Sequence, residues 1–331
     1  MRVLVHLGLN KCASTYIQRV LAHNRAHLAD RGTLYPLSGS HDCHYGVSRH
    51  FGFGPDDESV VPTSVEAILQ QAETGDVERL ILSSEYLSLY CPKAAERLHR
   101  ALTDNGLVPE YLIYSRPIAE WIEALFNQYV KTVENGRYLR SINDFVDQVL
   151  KNKTVDAGRR ISMWSDLAGH GGLTHVRLNE CEGNRDLLAP FRRFTGCELA
   201  LPRASRVNES LSKDALFQLG LLRQLAPSNA RDRRIERILS GGCRPRPAPA
   251  AYLEMAERTK QRLKDEIEPA YLELPSARPS SSPAPSPSGN LIRGLQGITR
   301  SAQDLVEKPR GIAGFFQRHQ GPSIDVAQPG R

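Results

Sequence analysis

The stretch VLVHLGLNKCASTYIQRVL (residues 3–21) decides the fold of this chain of 331 residues. It begins with an apolar run, Val3–Leu7, that is typical of a buried strand. Gly8 ends this run, and from Ser14 onward apolar residues recur at helical spacing as far as Leu28. A strand, a short loop and a helix form a phosphate-binding turn in many proteins, because amide N–H groups at a helix N-terminus favour an anion.

Further strands are predicted at 79–85, 110–116 and 174–178, and helical stretches separate them. Strands that alternate with helices predict an α/β domain of three layers, with a mostly parallel central sheet and helices on both faces. Ligands of such sheets bind at the carboxyl ends of the strands. Three polar segments follow these ends and are expected to meet: Gly8–Thr15, Ser83–Glu85 and Ser115–Arg116.

Helical spacing indicates a series of helices along the chain, and residues 37–62 read mostly as loop with one short helix. The predicted helices are 14–28, 64–74, 93–105, 117–133, 142–152, 157–168, 184–195, 209–225 and 250–268.

Composition divides the chain into three parts. Residues 1–273 hold the predicted strands and helices and form the α/β domain. Residues 274–289 consist almost entirely of Pro, Ser and Ala, which predicts a disordered linker. In the tail, 290–331, apolar residues again recur at helical spacing. Its part 290–318 is either a weak helix that contacts a membrane surface or a protein, or a disordered segment with chance periodicity.

The overall composition is that of a soluble globular protein, with 40% hydrophobic and 24% charged residues. A net charge of +6 suits an anionic ligand but is too small to indicate nucleic acid as a partner. The six cysteines are far apart, which predicts reduced thiols rather than zinc ligands or disulfides. The N-terminus lacks the pattern of a signal peptide, and no run of 18 apolar residues occurs. We therefore expect a cytoplasmic protein.

The loop after the first strand carries the clearest chemistry. Lys11 supplies a positive charge, and Ser14 and Thr15 supply hydroxyl donors. An ordinary strand-to-helix turn with a solvated lysine would have the same residues. The ATP-binding pattern G-x-x-x-x-G-K-[ST] is not matched, because Asn10 precedes the lysine and no pair of glycines brackets it.

The chain resembles bacterial P-loop sulfotransferases. Their pattern H-[IL]-G-x-x-K-[TC]-[GA]-[ST]-T-x-x-Q-x-x-L, followed by G-x-x-YP, is matched in register by His6, Gly8, Lys11, Ser14, Thr15, Gln18, Leu21, Tyr35 and Pro36. The resemblance covers most of residues 1–226. It implies that 3′-phosphoadenosine 5′-phosphosulfate (PAPS) is a co-substrate whose 5′-phosphosulfate binds six loop residues: Gly8, Lys11, Cys12, Ala13, Ser14 and Thr15.

A second segment, 111–132, is similar to the part of this family that binds the 3′-phosphate of the nucleotide. Arg116 matches the family's arginine, and a guanidinium suits phosphate oxygens. From the residues alone, Arg116 could equally form a surface salt bridge. Ala124 stands where the family has a phosphate-binding serine, and one lost hydrogen bond to a charged group costs about 1.5–3 kcal/mol. Ser115 is a candidate to replace it.

Two residues are candidates for the base that accepts a proton from the acceptor hydroxyl. Glu85 lies in a segment, 80–88, that is similar to S-S-E-x-L-S of the bacterial family members, although Ser84 or Ser83 could instead cap a helix that follows. His44, with His41 as the next match, occupies the position of a family histidine near the acceptor. Its alternative is an exposed loop histidine. The histidine spacing offers no third metal ligand, so no metal site is predicted.

The resemblance thus implies transfer of a sulfuryl group from PAPS to an acceptor hydroxyl without a metal ion, and a carbohydrate is the expected acceptor. Two other functions remain open from the sequence. One is an ATP-dependent P-loop kinase, which would need Mg²⁺ and a carboxylate to hold it. The other is a non-catalytic adaptor of the same fold.

Overall fold

A computed structural model describes residues 1–37, 42–54, 58–72, 76–132, 141–151, 157–202, 212–223, 229–240, 247–249, 252 and 254–266. The predicted linker at 274–289 and tail at 290–331 lie outside these residues, as do the domain boundary at 273 and His41.

Five strands form one sheet in which every described pair of neighbours is parallel. The order across the sheet is β2-β3-β1-β4-β5. The predicted α/β class with a parallel central sheet flanked by helices is confirmed. The strands are β1 (Arg2–Leu7), β2 (Thr33–Leu34), β3 (Arg79–Ser84), β4 (Val108–Ser115) and β5 (Leu173–Arg177).

Helices occupy most of the remaining described chain. In chain order the α-helices are α1 (Ser14–His23), α2 (Arg25–Ala29), α3 (Tyr45–Phe51), α4 (Val65–Gln70), α5 (Pro92–Asp104), α6 (Ile118–Thr132), α7 (Ile142–Lys151), α8 (Ala157–Ala168), α9 (Asn184–Leu187), α10 (Ala189–Thr195), α11 (Lys213–Arg223), α12 (Asn229–Leu239) and α13 (Glu257–Glu266). Two short 3₁₀ helices follow β3 and β5, at Tyr86–Ser88 and Leu178–Glu180.

The helix predicted from 14 to 28 is divided in two at Asn24. The Asn24 side-chain amide donates to the carbonyl oxygens of Val20 (2.7 Å) and Ala200 (2.8 Å). Its own side-chain oxygen accepts from the Ala200 backbone N–H at 2.8 Å. An asparagine that bonds to backbone groups competes with the helix, so the chain turns here and ties α1 to the distant 200 segment. The helix predicted at 184–195 is likewise divided, with Pro190 in the first turn of α10.

β1 and β3 are buried along nearly their whole length, and so are the last five residues of β4, which explains why these segments are mainly apolar rather than alternating. The buried Trp164 extends the core to a loop at the carboxyl edge of the sheet. The Trp164 ring lies 4.7 Å from Tyr111, and its Nε1 donates to the Leu87 carbonyl at 3.0 Å. The loop that follows β3 is therefore held on a packed base.

Within the described residues, the helices are too short or too polar to span a lipid bilayer.

Candidate functional site

The loop between β1 and α1 begins at a glycine that has no space for a side chain. A Cβ atom on Gly8 would lie 2.7 Å from Ser14 Oγ and 3.3 Å from the Cα of Glu85. The Gly8 N–H donates to the Ser84 carbonyl at 3.1 Å, so the loop leaves β1 directly against the end of β3. Gly8 thus permits the close approach that brings the predicted loop and Glu85 together.

Beyond Gly8 the loop turns tightly through two residues in the left-handed region. Lys11 and Ala13 both have φ of 64°, which is uncommon for residues other than glycine and costs about 1–3 kcal/mol each. The Cys12 N–H donates to the Leu9 carbonyl at 3.1 Å, and Trp121 Nε1 donates to the Asn10 carbonyl at 2.7 Å. The loop is therefore fixed by its own turn and by α6.

The loop leads into the N-terminus of a ten-residue helix. Ala13 is the N-cap of α1 and supplies no side-chain hydrogen bond, and the first turn of α1 has no acidic residue. Amide N–H groups in the first turn of a helix carry partial positive charge and favour an anion. Thr15 is exposed in this turn. Ser14 is buried and donates its hydroxyl to the Leu9 carbonyl at 3.2 Å, so it stabilises the loop itself.

Lys11 is half-buried and points toward α6, where its Nζ donates to Gln128 Oε1 at 2.8 Å. Burial lowers the pKa of Lys11, and the nearby charge of Glu85 opposes that change. Burial raises the pKa of Glu85, and Lys11 opposes it in turn. The removal of both groups from water thus outweighs their attraction. The site holds a cation and a carboxyl group that are both partly withdrawn from solvent.

Cys12 and Arg116 also belong to this site. Cys12 is buried, and burial raises the pKa of its thiol to about 12, although the nearby Arg116 guanidinium opposes the rise. The thiol therefore remains protonated at neutral pH. Arg116 stands between the end of β4 and the start of α6 and is half-buried. The structure thus brings the predicted arginine to the predicted loop.

Ala124 lies on the face of α6 that contacts the loop. It follows Trp121 by three residues and precedes Gln128 by four, and both of those side chains bond to loop residues. Its methyl group offers no hydrogen bond. Ser115, the candidate to replace the missing serine, is fully buried and shares a hydrogen bond of 2.6 Å with His175 Nε2.

His44 is buried in the core rather than exposed in a loop. Its Nδ1 accepts from the Ser83 N–H at 2.9 Å, and its Nε2 lies 3.1 Å from the Pro36 carbonyl oxygen. A neutral imidazole with its proton on Nε2 satisfies both of these contacts. Burial lowers the pKa of His44 to about 4. Both ring nitrogens are thus engaged by the backbone, whereas the Glu85 carboxyl group lies beside Lys11.

Two other residues of the predicted motif link elements of the fold. His6 Nδ1 shares a hydrogen bond of 2.8 Å with Ser83 Oγ, and Gln18 Nε2 donates to the same oxygen at 3.1 Å. All three side chains are buried. His6 and Gln18 therefore connect β1 and α1 to β3, which holds the loop and Glu85 in register.

Sequence reasoning missed two residues of this site. These are Gln128 and Lys131, neither of which has a role in the sequence-based hypothesis. The signal was present in the spacing, because Ala124, Gln128 and Lys131 recur on one face of a helix. Helical spacing alone does not show which loop packs against this face. Among the described residues, no cluster of three or more His, Cys, Asp or Glu side chains is placed to hold a metal ion.

No family model matches this chain, and no curated protein shows significant similarity to it in sequence.

Proposed function

We propose that this protein is a sulfotransferase that moves a sulfuryl group from PAPS to an acceptor hydroxyl. The observation that carries the proposal is the position of Lys11. It is half-buried, in a left-handed turn at the uncapped N-terminus of α1, bonded to Gln128, and near enough to Glu85 for the two charges to interact. The site combines a lysine, the backbone N–H groups of the first turn of α1 and a carboxyl group, and it is partly withdrawn from solvent. Such a site suits the transfer of an anionic group.

The residues present fit a nucleotide with phosphate groups at both ends. Lys11 and the first-turn amides of α1 supply positive charge for the 5′-phosphosulfate. Arg116, which is close enough to influence Cys12, supplies a planar guanidinium for the 3′-phosphate. Ser14 contributes by fixing the loop, and Ala124 contributes no hydrogen bond. We therefore expect the 3′-phosphate to depend mainly on Arg116.

PAPS supplies a sulfuryl group on a good leaving group. In the transfer, the bond between sulfur and the bridging oxygen breaks and a bond between sulfur and the acceptor oxygen forms. Lys11 stabilises the electron pair that stays on the bridging oxygen, so the nucleotide leaves as adenosine 3′,5′-bisphosphate. Glu85 accepts the proton of the acceptor hydroxyl. Burial favours Glu85 in this role, because a raised pKa brings a carboxylate closer to the operating pH.

Calorimetric binding tests this proposal against an ATP-dependent kinase. The protein is titrated with PAPS, with adenosine 3′,5′-bisphosphate and with ATP–Mg²⁺, each with and without a chelator. We expect each 3′-phosphorylated nucleotide to bind as tightly with chelator as without it, and the Lys11→Ala variant to lose most of the affinity for PAPS. Binding of ATP that requires Mg²⁺, without binding of PAPS, would instead establish the kinase.

The acceptor is proposed only as a hydroxyl compound, with carbohydrate as the expectation from the family resemblance. If neither nucleotide binds and removal of the tail beyond residue 289 abolishes the cellular function, the adaptor is the correct description.

A further inference from the structure

Two lysines from different elements are brought together at the site. Lys11 lies in the loop after β1 and Lys131 lies in the last turn of α6, and both are half-buried. The contact between Lys11 Nζ and Gln128 Oε1 (2.8 Å) brings this part of α6 to the loop. Lys131 follows Gln128 by three residues, so it lies on the same face of the helix, about 4.5 Å further along its axis.

The direction of α6 orders the groups of the site. Arg116 precedes the helix, Trp121 contacts the start of the loop at Asn10, and Gln128 contacts Lys11. Lys131 comes last. A nucleotide with its 3′-phosphate at Arg116 and its 5′-phosphate at Lys11 therefore has its terminal group on the side of Lys131. This order rests on the proposed function.

The two ammonium groups repel each other. Burial lowers the pKa of Lys131, and the charge of Lys11 lowers it further. Like charges held together away from bulk water destabilise the fold, and a bound anion between them removes that cost. The loop and α6 thus bring two positive charges to a site where both can stabilise a bound anion.

We propose that Lys131 is a second cationic binding residue of this site. It contacts the sulfuryl oxygens of the donor, while Lys11 stabilises the negative charge on the bridging oxygen. Lys131 then recognises the group that is transferred rather than the nucleotide as a whole. PAPS and adenosine 3′,5′-bisphosphate are the two ligands that separate these roles.

The test compares the affinities of the two nucleotides for the Lys131→Met variant by calorimetry. At about pH 8 both nucleotides carry the same formal charge, so general electrostatic attraction cancels in the ratio. They differ in the position of the outermost negative charge, which is on the sulfuryl group in PAPS and on the 5′-phosphate in adenosine 3′,5′-bisphosphate. We expect Lys131→Met to weaken PAPS binding about ten- to a hundredfold, as for a lost charged hydrogen bond, and to leave adenosine 3′,5′-bisphosphate within about threefold.

Lys93→Met, at an exposed position near the start of α5, is the matched control for loss of one positive charge. Lys131→Arg should restore much of the preference for PAPS, because it restores the charge. Retained binding of adenosine 3′,5′-bisphosphate reports that the variant is folded, and Lys131→Gln provides a second variant if methionine disturbs the helix.

An unchanged ratio of the two affinities in Lys131→Met overturns this inference but leaves the sulfotransferase proposal intact. Equal loss of both nucleotides also overturns it, since Lys131 would then act only through general charge. If the wild-type protein binds neither nucleotide, the proposed function fails and the inference with it.

Discussion

At Gly8 the chain has no room for even one methyl group, and this single restriction shapes the site. The missing side chain lets Ser14 and the backbone of Glu85 approach each other across the end of β1. A larger residue would push the loop away from β3, and Lys11 would lose its position beside the carboxyl group. The glycine is therefore required by close packing, since its φ is not in the left-handed region.

Gly8→Ala is expected to lower the free energy of unfolding by about 1–3 kcal/mol, because the added Cβ overlaps Ser14 Oγ. Chemical denaturation measures the change. Ala13→Gly is the matched change in the same loop, where φ is 64° and glycine relieves strain. It should not lower the stability. Equal destabilisation by both variants would contradict this account of the loop.

Glu85→Gln is expected to reduce sulfuryl transfer about a hundredfold or more, since it removes the proposed base. The affinity for PAPS should stay equal or rise, because the carboxylate that offsets the charge of Lys11 is lost. Rates of transfer and calorimetric affinities are both needed. A Glu85→Gln variant that transfers at the wild-type rate, alongside an inactive and folded His44→Gln variant, would assign the base to His44.

Among the elements, α6 organises the site because one of its faces contacts the loop over about two turns. Trp121 and Gln128 hold the loop, and Ala124 lies between them. Sequence periodicity predicted this helix at 117–133, close to its observed extent. The periodicity could not show what the helix faces, because its partner lies more than 100 residues earlier in the chain. The helix was predictable and its role was not.

The same limit explains the two interpretations that changed most. Asn24 is a moderate helix residue in sequence, and only the distant Ala200 backbone makes it a break between α1 and α2. His44 was expected in a loop near the acceptor, but the turn before α3 places its ring against Ser83 and Pro36 in the core. Both outcomes depend on hydrogen bonds between segments far apart in the chain, which local patterns do not specify.

Buried histidines on the sheet and beside it predict a pH dependence of stability. Burial lowers the pKa of His6 to about 3 and those of His44 and His175 to about 4, whereas an unfolded histidine titrates near 6.5. Below pH 6.5 the unfolded chain therefore binds protons that the native chain does not. As the pH is lowered below about 6.5, the free energy of unfolding should therefore decrease by about 1.4 kcal/mol per pH unit for each such histidine.

Urea denaturation between pH 7.5 and 5 measures this slope. His44→Gln should reduce the slope by about one proton, and His27→Gln, at an exposed position on α2, should leave it unchanged. A slope that is the same in all three proteins would show that His44 is not held neutral in the native state.

For the whole molecule, the order β2-β3-β1-β4-β5 places β1 between the two strands that carry the other site residues. Because all described strands run in parallel, the segments after β1, β3 and β4 lie at one edge of the sheet. The predicted meeting of these segments therefore follows from the parallel direction of the strands together with their order in the sheet. The described elements that build the site end well before the predicted linker at 274–289.

Truncation after residue 273 is accordingly expected to leave the affinity for PAPS unchanged. Calorimetry on the full chain and the shortened chain provides the measurement, with thermal denaturation as the control for folding. Loss of nucleotide binding in a shortened chain that is still folded would place part of the site beyond residue 273.

The most direct test of the central claim is transfer of labelled sulfate. The full-length protein is incubated with PAPS that carries a radiolabelled sulfuryl group and with a cell extract that contains candidate acceptors. We predict a labelled product that forms in the presence of a chelator and does not form with Lys11→Ala. No labelled product from PAPS, together with chelator-sensitive transfer of labelled phosphate from ATP, would contradict the account.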